Sequence, residues 1–163
     1  MSRARKLLLF GGIALVILGM SYGLWYAVFA EHQALDSIGG ALAAGFSSAA
    51  ARNSPGVDAA LGQYREAKYV YDRQVDVHSH WIGLAMLLVI LGIVFDRVGF
   101  SESTKTLLAW GLLLGAFLFP LGVLLQSFSH ASFPRAVAIA GSALVVACLA
   151  CVALGIARGT PAR

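Results

Sequence analysis

Charge is what this chain has least of. Only 12% of its 163 residues are Asp, Glu, Lys or Arg, while 59% are apolar and the mean hydropathy is +0.79. Soluble domains run nearer 45–50% apolar and about 25% charged, so a water-soluble globule is excluded and an integral membrane protein is expected. Cysteine is scarce too. Cys148 and Cys151 form a Cys-x-x-Cys inside an apolar run, with no base or positive helix end nearby to lower a thiol pKa, so they read as packing residues. Acidic residues are missing from every long apolar run, which argues against an ion-coupled transporter with a midplane site. No Walker-type phosphate loop, Gly-x-Ser-x-Gly or zincin motif occurs, which leaves those reaction classes without support. The net charge of +4 and pI near 9.4 come from residues flanking the apolar runs, not from a basic tract. No nucleic-acid partner is expected; the partner is the lipid bilayer.

Four stretches reach the roughly 20 apolar residues that a crossing needs: Leu7–Ala30, Val77–Phe95, Thr106–Phe128 and Ala136–Ala157. The expected fold is all-α, a four-transmembrane-helix bundle forming a single domain over residues 1–163. The first run exceeds the 7–15 residue core of a typical signal peptide, so an uncleaved first helix is expected. On one side lie Arg3, Arg5, Lys6, Arg97, Lys105, Arg158 and Arg163 against Asp96 and Glu102. The other side pairs Arg52, Arg65, Lys68, Arg73 and Arg135 with Glu31, Asp36, Asp58, Glu66, Asp72 and Asp76. The positive-inside rule then puts both termini in the cytoplasm and residues 31–76 outside.

That outer segment has helical composition, and its strong breakers group at Asn53-Ser54-Pro55-Gly56. Leu35, Ile38, Leu42 and Phe46 recur at spacings of three and four, as do Leu61, Tyr64, Lys68 and Tyr71. A helical hairpin extending helices 1 and 2 is expected, with Gly39-Gly40 and Gly45 as the places where the outgoing arm would break. Short turns at Asp96–Lys105 and Ser129–Arg135, the latter with Pro134 opening the fourth helix, make spans two to four antiparallel neighbours.

All four histidines, His32, His78, His80 and His130, fall at the outer boundary, on or beside three spans, with Glu31 and Asp76 close by. Ionisable groups at membrane depth are functional candidates by default. Imidazole and carboxylate suit copper, zinc or iron, so this set is one candidate metal site. Residues two apart on a helix point about 200° apart, so His78 and His80 cannot share one ion on a regular helix. Asp76, one turn from His80, is expected to orient that imidazole through its carboxylate.

The segment His78-Ser79-His80-Trp81-Ile82-Gly83-Leu84, opening a helix from the outside after an N-in first span, resembles the start of helix II in subunit I of the heme-copper oxidase and nitric-oxide reductase superfamily. It is also similar to small four-helix bacterial membrane proteins that look like only the first helices of that subunit. The resemblance implies a bacterial inner-membrane location, heme b as cofactor, His78 as an axial ligand with His80 in the neighbouring place, and a role in electron transfer or heme sensing. The later helices that carry the remaining ligands of the large subunit have no counterpart here, so oxygen reduction by this chain alone is not expected. A second axial bond would come from His130, His32, Met20, Met86 or another protomer. Gly19, Gly23, Gly83, Gly111, Gly115 and Gly122 offer close helix approaches, and Trp25, Tyr26 and Trp81 read as an interfacial belt. Two rival readings remain: a cofactor-free accessory or assembly subunit of a larger membrane complex, and a copper-, zinc- or iron-binding protein. A homo-oligomer is compatible with each.

Overall fold

A computed structural model describes residues 1–159; Arg163, counted among the cytoplasmic charges, lies outside the described residues. The order is α1 (Arg3–Phe29), α2 (Glu31–Ala50), α3 (Ser54–Val94), a short 3-10 turn (Phe95–Arg97), α4 (Glu102–Gln126) and α5 (Ser132–Ala157). No strand occurs among the described residues. Four helices, α1, α3, α4 and α5, are long and apolar enough to cross a membrane, which fits a multi-pass membrane protein.

Local chemistry sets most boundaries. Ser2 caps α1 by accepting from the Arg5 amide at 3.2 Å, and Ser101 caps α4 by accepting from the Thr104 amide at 3.3 Å. At Ala30 the backbone leaves helical geometry (φ −123°, ψ −32°), and α2 restarts at once with Glu31 at its positive end. The outgoing arm is therefore broken at Ala30, whereas Gly39 and Gly40 sit inside α2 with open space around them. The hairpin turns at Ala51–Asn53: Arg52 takes a left-handed φ of 54°, and the Asn53 amide donates back to the Ser48 carbonyl at 2.8 Å. Asn53 Oδ1 then accepts from the Gly56 amide at 3.2 Å, starting α3, with Pro55 in the first turn where its missing N–H costs nothing. From there α3 runs 41 residues without interruption, about 60 Å.

Helices α1 and α3 pair along their length, α4 lies against both, and α5 packs chiefly on α4. Small residues permit these approaches. A methyl group at Gly12 would fall 3.1 Å from the Ala85 carbonyl oxygen, and one at Gly115 only 2.8 Å from that of Gly141. The core is built from Leu8, Trp81, Ala85, Leu88, Leu112 and Val123, among others. In the hairpin, Gly45 meets Ala60, Ala41 is buried one turn away, and the α3 seam Val57, Ala60, Tyr64, Ala67, Tyr71 and Gln74 alternates spacings of three and four.

Both ends of the described chain and the α3–α4 turn gather at one end of the membrane helices. Ser2 Oγ donates to Asp96 Oδ1 at 2.6 Å, and the Gly99 amide donates to the Gly155 carbonyl at 2.9 Å. Lys105, only 7% exposed, donates to the Asp96 backbone carbonyl at 3.2 Å. The hairpin stands at the opposite end.

Candidate functional site

Two residues apart on one regular helix, His78 and His80 face different neighbours. His80 turns to α4, where its ring meets the edge of Phe119 with centroids 4.7 Å apart and planes at 71°. Its Nδ1 lies 2.6 Å from the Asp76 backbone carbonyl. A carbonyl can only accept, so Nδ1 carries the proton and donates. The Asp76 carboxylate, expected to orient this ring, instead lies 3.5 Å from Arg73 Nη1. The helix already places the carbonyl four residues back within reach of the imidazole, and the nearby guanidinium claims the side chain.

His78 turns to α1. It meets that helix at Gly23, where a Cβ would lie 3.4 Å from the ring and anything larger would need the ring to move. The imidazole opens on a cleft of about 660 Å³ between α1 and α3, lined also by Met20, Leu24, Tyr26, Ala27, Glu31, Tyr71, Val75 and Ile82. Its size falls within the roughly 300–1,000 Å³ of small-molecule and cofactor sites, and its wall is mostly apolar with a few polar groups. Two of those groups are orphaned. His78 Nδ1 and Tyr26 Oη are both buried without a hydrogen-bond partner, and Tyr26 as a whole is only 4% exposed. Buried polar atoms are nearly always satisfied; these two, like Trp81 Nε1 one turn along α3, are exceptions covered by protein on the walls of the cleft.

The remaining candidates lie elsewhere. His130, in the α4–α5 turn, stacks on Tyr69 of α3 with centroids 4.9 Å apart, and its Nε2 sits 3.6 Å from Glu66 Oε2. Both of these side chains are well exposed. His32 is exposed on the first turn of α2, while its neighbour Glu31 joins the His78 cleft. Among the described residues, no three His, Cys, Asp or Glu side chains gather as a metal site would require.

Tyr26, read from the sequence as a belt aromatic, and Tyr71, read only as part of the helical periodicity of the returning arm, are cleft residues here. The available signal was positional: Met20, Gly23 and Ala27 recur at helical spacing on α1, with Tyr26 beside them. No protein-family profile, curated protein or solved structure matches this chain. The heme-copper likeness therefore rests on the residues that open the second span.

Proposed function

We propose that this chain is a multi-pass protein of a bacterial cytoplasmic membrane that binds heme b in the α1/α3 cleft, with His78 as axial ligand, and serves electron transfer or heme sensing. The observation that carries the reading is a mostly apolar cleft between α1 and α3 whose wall holds the His78 imidazole and the Tyr26 phenol. Such a cleft fits a large apolar group held by one imidazole and one hydroxyl, and Met20 stands in the same wall as a second axial candidate. Bound heme would supply one-electron chemistry; the chain would supply the imidazole, the hydroxyl and a mostly apolar wall. The excess of Lys and Arg at the end holding Ser2, Asp96 and Gly155 supports a cytoplasmic location for that end and a periplasmic hairpin.

Absorbance of the detergent-solubilised protein from heme-replete cells tests this. A Soret band is expected, lost in His78→Ala and retained in His80→Ala. A colourless wild-type protein overturns the reading.

The hairpin favours a second reading, a cofactor-free accessory or assembly subunit, because its apolar face carries Phe46 at 74% exposure. That reading requires co-purification with a larger complex in mild detergent. Bound copper, zinc or iron would require His32, His78, His80 and His130, with Glu31 and Asp76, to turn toward one another, and their separate surroundings favour heme instead.

A further inference from the structure

At the end of the bundle that gathers Ser2, Asp96 and Gly155, a groove of about 450 Å³ runs between α1 and α4. Both helices start at this end, so Arg3 and Lys6 stand at the mouth of the groove, with Leu7, Phe10 and Trp110 further in. It closes at Gly11, where a Cβ would overlap the Leu113 side chain. From Arg3 to Phe10 the helix rises about 10 Å, so one molecule can touch both the basic mouth and the apolar wall. Leu7 and Thr106 open the apolar runs of their helices. The mouth therefore lies at the boundary where a bilayer holds its headgroups, and the wall lies at the depth of its acyl chains.

The positive charge at the mouth is uncommitted. Arg5 is drawn to Asp96 at 3.2 Å and Lys105 to Glu102 at 3.4 Å, whereas Arg3 and Lys6 enter no ion pair among the described residues. No carboxylate among the described residues lines the groove itself. Glu102 shares the adjoining recess with Arg3, and there Lys105 already offsets it. A small free anion would use the two basic groups and leave Phe10 and Trp110, both well exposed, without a partner. A neutral apolar molecule would do the opposite. A molecule with an anionic head and an apolar tail uses both.

We propose that this groove binds one anionic phospholipid, its phosphate between Arg3 and Lys6 and an acyl chain along Phe10 and Trp110. Basic pockets between membrane helices recognise anionic headgroups in this way, and the long basic side chains reach the phosphate while their stems cover apolar surface. The site is independent of the heme reading, which concerns the His78 cleft between α1 and α3.

Native mass spectrometry of the full chain released from a mild non-ionic detergent tests this, with phosphatidylglycerol and phosphatidylcholine of the same acyl chains as probes. One phosphatidylglycerol per chain should be retained at a concentration roughly tenfold below that needed for phosphatidylcholine. Arg3→Gln/Lys6→Gln should bring the two lipids level. Arg97→Gln/Arg158→Gln removes as much charge from the same end but outside the groove, and should leave the preference intact. Trp110 supplies a second readout in vesicles, its fluorescence taken as the difference between the parent and Trp110→Phe. Phosphatidylglycerol brominated on its acyl chains should quench it more than brominated phosphatidylcholine at equal bromine content. Equal retention of the two lipids by the parent, equal loss of preference in both double variants, or equal quenching by the two brominated lipids overturns the proposal. So does a protein or a second copy of the chain retained in place of the lipid and lost in Arg3→Gln/Lys6→Gln.

Discussion

Arg5 Nη1 lies 3.2 Å from Asp96 Oδ2, and this pair, with Ser2 on the other carboxylate oxygen, ties the first turn of α1 to the turn between α3 and α4. The Ser2 hydrogen bond, with Arg5 adding to it, holds the Asp96 carboxyl below its ordinary value. Since the folded value is lower than the unfolded one, the stabilisation is present at neutral pH and disappears as pH falls through the folded value. Both side chains are partly exposed, so Asp96→Asn is expected to cost no more than about 1 kcal/mol at pH 7. Thermal unfolding in detergent should show a gap between variant and parent that closes in acid. A gap that persists at acid pH would assign the effect to something other than this carboxylate.

Gly122 and Gly141 lie where α4 and α5 touch backbone to backbone; a Cβ on Gly122 would overlap Ala138, and one on Gly141 would overlap Phe119. Gly141→Leu should therefore lose about 1–3 kcal/mol or separate the two helices. Gly83 has nothing within 4 Å of a Cβ, and Gly83→Ala should unfold at or slightly above the parent temperature. Comparable melting of both variants would mean that the helices do not pack here.

Tyr22 donates its hydroxyl to Gln74 Oε1, joining α1 to a glutamine that is itself buried. Removing only the donor strands the amide, so Tyr22→Phe is expected to destabilise by about 1–3 kcal/mol. The double variant Tyr22→Phe/Gln74→Leu should recover part of that loss, a non-additivity readable in a double-mutant cycle. Simple additivity would show that the two groups are not coupled.

Arg52 is the one described non-glycine residue with positive φ. Glycine meets no Cβ penalty there, so Arg52→Gly is expected to raise stability by about 0.5–1 kcal/mol, the gain being offset in part by the freer unfolded chain. A drop in melting temperature would show that the arginine side chain supports the turn in some further way.

His32 is exposed and His130 is engaged with Tyr69 and Glu66. Joint replacement of both by Ala should leave any heme spectrum of the protein unchanged. A shifted or lost band would move the ligand set toward the hairpin base and away from the α1/α3 cleft.

The four apolar runs and the breakers at Asn53-Ser54-Pro55-Gly56 made the helices and the hairpin legible, because length, periodicity and turn chemistry are written locally. The divergence of His78 and His80 was legible too, since two-residue spacing fixes an angle. Which of them would face α1 was not, because that depends on where α4 packs. The bend at Ala30 left no trace, alanine being the best helix former of all. Trp25 and Tyr26 looked alike as belt aromatics, but neighbouring positions on a helix differ by about 100°, and only Tyr26 turned inward. Among the glycines expected to bring helices together, Gly19, Gly23, Gly111, Gly115 and Gly122 do so, and Gly83 faces open space.

The two arms of the hairpin connect to the membrane helices unequally. On the α1–α2 side there is a joint at Ala30, whereas α3 passes the same height as an unbroken rod. A tilt imposed near Arg52 would thus be carried by α3 past His78 to Val94 as by a single rod, while the α1–α2 side would take up the difference at Ala30.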